Sequence, residues 1–176
     1  MTTSVDAAAI VLPPQHGLST GLMLALGLQL KFDDWGVRTG IGNSVLSGEV
    51  DRSEGNAELS LLMLEAAGSY AWQPGDWLVG LDLGMTALRA SASGTGRNGA
   101  TGRRASGWSG GPMLRPYAGF DTGSVLIRAE LAVVWTIPET RVQFDERDVA
   151  SFGAPGWLLG VRLAVPLGSA NERTTR

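Results

Sequence analysis

The chemistry this sequence offers lies in seven ionisable side chains set within runs of small and apolar residues: Arg38, Glu65, Asp82, Arg115, Arg128, Glu130 and Arg162. In each segment they keep to one alternate-residue set, the set that also carries the glycines, while leucine, valine and tryptophan fill the other. Charges collected on one face of a sheet could line a conduction path, as charged rings do in pores. They could equally form a plug, because buried charges persist only when paired. Arg115 and Glu130 are expected to pair, with Glu65 and Asp82 diagonal on neighbouring strands and Arg162 able to bridge them. A nucleophile-and-base reading rests on His16 and Ser19, the minimum for acyl transfer. No orienting acid is identifiable beside them, and an ordinary polar loop explains both. "GTGRNGATGR" lacks the Lys-Ser/Thr ending and following helix of a phosphate loop. No metal site and no cofactor is expected, and the absence of cysteine excludes thiolate ligation and disulfides.

The elements that must position these charges are strands. "GLSTGLMLALGLQLKF" (17–32) puts leucine or phenylalanine at nearly every even position and Ser, Gly, Ala, Gln or Lys between them. Period two recurs along the chain, so the fold is all-β. The expected strands are 2–12, 18–32, 35–47, 58–72, 76–88, 112–121, 124–137 and 156–167, in one domain over 1–176 with 168–176 as a tail. Asp33-Asp34, Pro74-Gly75 and Thr122-Gly123 read as two-residue hairpins that pair Phe32 with Trp35, Trp72 with Trp77 and Arg115 with Glu130. The other connections are long, and 139–148 could extend as a hairpin. Short turns on one rim and long loops on the other describe an up-and-down antiparallel barrel that crosses a membrane.

Which solvent touches the leucine face decides where the chain resides. No charge inside strands two to eight falls on that face, apart from Glu58 near the mouth of strand four. Its aromatics cluster at strand ends: Phe32, Trp35, Trp72, Trp77 and Phe120 flank the tight turns, and Trp135 and Trp157 lie toward the long loops. Rings with an apolar body and a polar edge favour the membrane–water boundary. The charged face is rich in Gly and Ala, as a narrow eight-stranded interior requires if it is to admit a few long side chains. Charged residues make up 18% of the chain, against about 25% in soluble domains. The formal charge of −3 offers no basic footprint for nucleic acid.

With pieces such as "LRPYAGFD", this layout resembles the small eight-stranded outer-membrane barrels, the class of the OmpA membrane domain and OmpX. The resemblance implies a bacterial outer-membrane location, a lipid bilayer and lipopolysaccharide as surroundings, and a signal segment removed on export. The chain is expected to be a monomer with a largely plugged charged lumen. Its role would be a non-enzymatic scaffold, anchor or surface-loop display, with loops whose ligand is unknown. A narrow pore for small solutes or ions, a lipid-modifying enzyme at the rim and a soluble small-ligand barrel are the alternatives. Arg89, Arg97, Arg103 and Arg104 in the 89–111 connection could touch lipopolysaccharide phosphates. Pro116 and Pro166, lacking a ladder donor, should mark bulges or strand ends.

Overall fold

The computed structural model describes residues 1–14, 19–46, 48–52, 55–96, 104–138, 140–144, 147–152 and 155–167. Its strands are β1 (Thr2–Leu12), β2 (Gly21–Phe32), β3 (Trp35–Leu46), β4 (Gly48–Arg52), β5 (Gly55–Trp72), β6 (Trp77–Gly96), β7 (Arg104–Asp121), β8 (Leu126–Val134), β9 (Thr140–Phe144), β10 (Arg147–Phe152) and β11 (Gly156–Leu167). No helix occurs among the described residues.

β3 and β4 are two stretches of one wall strand. Both pair with β5, with a register step between Asn43↔Leu62 and Gly48↔Leu59. β1 pairs with β2 on one side and with β11 on the other, so the first and last strands close an eight-stranded antiparallel barrel. Closure leaves no edge, which is what a strand-built membrane protein requires. β9 and β10 form a separate two-stranded hairpin above the barrel wall, at the expected place.

The hairpin turns follow from backbone chemistry. Asp33 takes φ 51°, in the left-handed region that Asp tolerates better than most residues, and Phe32 pairs with Trp35. The other two tight turns differ from expectation. Trp72 lies opposite Val79, not Trp77, because the first central residue of a two-residue hairpin needs positive φ and Pro74 is locked near −65°. Trp77 instead faces Phe120. Thr122, β-branched, likewise resists positive φ, so the third turn runs over 122–125. There the Thr122 backbone N–H donates to Val125 O at 3.0 Å and the Gly123 N–H to Asp121 Oδ1 at 2.7 Å. Tyr117, not Arg115, therefore stands opposite Glu130. Both shifts are by two residues, so every side chain keeps its face.

The leucine face is the outside. Leu24, Leu26 and Leu28 are 52%, 61% and 53% exposed, while Arg38, Arg115, Arg128 and Arg162 are buried on the axis. β1, β2, β3 and β11 have 11 or 12 residues, close to the ~9–11 that a tilted strand needs to cross a bilayer. β5, β6 and β7 have 18, 20 and 18 residues and continue toward the long loops. The expected ends at 88 and 112 fall short of this, because Ser and Gly carry a loop signal. On this upper wall the outward side chains turn polar, with Glu58, Ser60, Arg89 and Ser93 exposed.

Pro166 is the penultimate residue of β11. Pro116 interrupts the ladder to β8, but the flanking pairs Leu114↔Val133 and Tyr117↔Glu130 keep one register, so it produces no bulge.

Candidate functional site: the charged layer of the lumen

Eight buried charges meet at one level of the lumen, drawn from every wall strand but β2: Asp6, Arg38, Glu65, Asp82, Arg115, Arg128, Glu130 and Arg162. Glycine makes room for most of the acids. Asp6 lies directly across the ladder from Gly27, Glu65 from Gly40 and Glu130 from Gly160. A Cβ on those glycines would sit 2.7 Å from Asp6 Oδ1, 2.8 Å from Glu65 Oε1 and 2.9 Å from Glu130 Cγ. The same device seats Tyr117 opposite Gly80, where a Cβ would run into the ring. Lumen glycines are thus the sockets into which long polar side chains fold.

The ion pairs form a connected set. Arg162 binds Glu130 with two parallel bonds, Nε to Oε2 at 2.9 Å and Nη2 to Oε1 at 2.8 Å, and also bonds Asp6. Arg38 reaches Asp6 Oδ2 at 3.1 Å and Glu65 Oε1 at 2.6 Å. Arg115 donates to both Glu65 oxygens, with Glu130 farther away at 3.6 Å. The expected Arg115–Glu130 pair is therefore a secondary contact: Glu65 holds Arg115, and Arg162 takes Glu130. Two members sit at the edge. Asp82 is no closer than 3.8 Å to Arg38 and 3.9 Å to Arg115. Arg128 approaches Glu130 only to 3.7 Å and rests over the Tyr117 ring at 4.7 Å.

Sequence reasoning misses Asp6. It shares the parity of Ala8, Ile10 and Leu12, all buried, and that pattern is the signal that could reveal it.

Above the charges, toward the long loops, the lumen is apolar. Ile10, Met23, Leu61, Met63, Leu88 and Val134 pack across it, all nearly inaccessible. A cavity at the boundary between the layers holds about 10 Å³, the space of one water at most. Below, Ser69 Oγ and Tyr117 OH share a hydrogen bond of 3.0 Å, with Ala71 and Leu78 beside them. Lys31, Gln73 and Asp121 make a hydrogen-bonded chain across the turn rim.

The aromatics form two outer belts. Phe32, Trp35, Trp72, Trp77 and Phe120 are exposed at the turn side, joined by Tyr70. Trp35 packs on Tyr70 at 4.9 Å, and Trp77 meets Phe120 edge-on at 5.7 Å. Trp135 and Trp157 lie at the other boundary with Trp108, whose expected place is a loop. An apolar belt between two aromatic girdles around a charged, packed interior is the arrangement of a transmembrane strand barrel.

The chain has the fold of the small outer-membrane β-barrels. It matches the solved structure of a major outer membrane protein from Thermus thermophilus with TM-score 0.62 and 15% identity, covering 94% of this chain and 98% of that one. Neisserial surface protein A gives TM-score 0.55 at 14% identity over 93% and 95% of the two chains. The N-terminal β-barrel domain of Pseudomonas aeruginosa OprF gives 0.51 at 12% over 93% and 97%. No protein-family model and no curated protein matches the sequence.

For a barrel of this fold, the layer's chemistry is that of a lock. Six of its eight charges are held in close ion pairs, Asp82 and Arg128 standing without a hydrogen-bond partner, and no group of three or more metal-ligating side chains occurs among the described residues. His16 lies outside the described residues, as do Arg97 and Arg103; Ser19 is exposed at the end of the first long connection.

Proposed function

We propose that this protein is a monomeric, non-enzymatic anchor of the bacterial outer membrane that displays its long connections at the cell surface, in contact with lipopolysaccharide. The observation that carries the reading is the doubly closed lumen. An ion-paired layer and an apolar layer stand in series across it, so neither ions nor solutes have a wet path. The β5–β6–β7 wall supports display, since it continues toward the loops on a polar outer face that no bilayer would cover. Arg89 lies on that face opposite Trp108, at a level suited to anionic headgroups.

Two measurements test the reading. Planar-bilayer recordings of the refolded protein should stay silent; unitary conductance steps would replace the anchor with the pore. A short epitope inserted within 97–103 should be labelled on intact cells, and labelling only after the outer membrane is breached would overturn the display role.

A further inference from the structure

We propose that the turn-side vestibule of the lumen is a binding site for a small oxyanion, such as phosphate or a carboxylate, anchored by Arg128. The inference is independent of what the surface loops display. Between the turn rim and the charged layer lies a cavity of about 230 Å³, lined by Ser4, Gln29, Lys31, Tyr117 and Arg128 among others. Arg128 is 1% exposed, and none of its three guanidinium nitrogens has a hydrogen-bond partner. The nearest carboxylate oxygen, Glu130 Oε2 at 3.7 Å, is already engaged by Arg162 Nε at 2.9 Å.

An arginine stays charged under all ordinary conditions and offers five donors in a planar fork. Leaving that fork dry and unpaired is among the costlier arrangements a protein can hold. Buried polar groups of this kind are normally satisfied by protein, water or a bound ion. Here the protein supplies only the Tyr117 face, whose ring centroid lies 4.7 Å from the guanidinium carbon.

Charge favours an anion over water alone. Lys31 adds a second cation to the lining, and Asp121 is its one carboxylate among the described residues. Asp121 is committed at the rim to the Gly123 N–H and the Gln73 amide. Asp82, the other under-partnered group, belongs to the charged layer and does not line the cavity. The volume lies below the ~300 Å³ at which sites for drug-sized ligands begin. The occupant is therefore a single oxyanion, gripped two-pronged by the fork and reached from the side of the short turns, which in this fold faces the periplasm.

The test is a titration of the full chain in micelles with inorganic phosphate at constant ionic strength, followed by NMR of the arginine Nε–H groups and backbone amides. The expected result is a saturable millimolar shift at Arg128 Nε–H and the Ser4 and Tyr117 amides, absent from Arg162. Lys31→Gln, at the rim and outside the charged layer, should weaken it several-fold while the fold, read by heat-modifiable gel mobility, is kept. Arg128→Gln should abolish the amide shifts. If that variant does not fold, the wild-type Arg128 resonance decides the question alone. Shifts that never saturate, or that move all lumen arginines equally, would show screening by an adventitious ion only and overturn the site.

Discussion

The two halves of the lumen solve the same packing problem with opposite chemistry. Toward the loops, Met23, Leu61, Met63, Leu88 and Val134 fill the barrel as an ordinary apolar core would. Toward the turns, four arginines and four carboxylates fill it, each acid held by more than one guanidinium or, for Asp82, by two at longer range. The apolar half owes its stability to volume and should accept volume-conserving swaps at a cost under about 1.5 kcal/mol. The charged half owes its stability to pairing, and its members cannot be removed singly without orphaning others.

The comparison breaks most sharply at Arg162. Arg162→Met leaves Glu130 and part of Asp6 uncompensated in a dry site, so unfolding in urea from lipid vesicles should show a loss of about 3–5 kcal/mol. Adding Glu130→Gln, which removes the orphaned charge, should restore part of that loss; additive effects of the two changes would show that the pair is uncoupled. In the apolar half, Met63→Ala removes a fully buried side chain and should cost about 2–5 kcal/mol by the same measurement. A loss at Met63 exceeding that at Arg162 would reverse the ranking of the halves. Conduction separates them further. Arg115→Gln should leave the bilayer silent, because the apolar layer still closes the lumen above it.

A socket glycine should fall between these values and the girdle. Gly80→Ala drives a methyl group into the Tyr117 ring and sets it 2.6 Å from the Tyr70 carbonyl oxygen. The ring cannot retreat without disturbing Ser69 and Arg128, so about 1–3 kcal/mol of overpacking is expected. Tyr117→Phe combined with Gly80→Ala should not relieve it, because the clash includes the ring carbon.

Parity was legible from the sequence, and parity alone carried most of the fold. "LMLALGLQLKF" could have only one face toward lipid once its other face held Gly, Gln and Lys, and β2 lies as that pattern requires. All seven charges read from the sequence are buried in the lumen for the same reason. Pairing was less legible. A shift of two residues preserves every face, so hydrophobic pattern cannot detect it; only the backbone limits of Pro74 and Thr122 could, and they set the register that moved Trp72 to Val79 and Tyr117 to Glu130. The apolar half escaped notice because β5 is greasy on both faces. In "SLLMLEAA" Leu61 and Met63 point inward while Leu62 and Leu64 point outward, and period two cannot rank two apolar faces. The upper reach of β6 and β7 was hidden by Ser and Gly, which are poor strand formers that a closed ladder nonetheless holds in place.

The smallest expected effect lies outside the lumen and calibrates both halves. Trp77 and Phe120 sit on the lipid side of adjacent strands, edge to face at 5.7 Å. Trp77→Leu keeps an apolar side chain toward the bilayer but removes the ring geometry, which in aromatic pairs is worth about 0.5–1.5 kcal/mol beyond area. Phe120→Leu should cost a similar amount, and the double variant little more than either single one, since each change alone already abolishes the pair. Strict additivity would mean that both rings act only as separate anchors at the headgroup boundary. The pairing of β6 with β7 at Trp77 and Phe120 would then draw no support from the contact between the two rings.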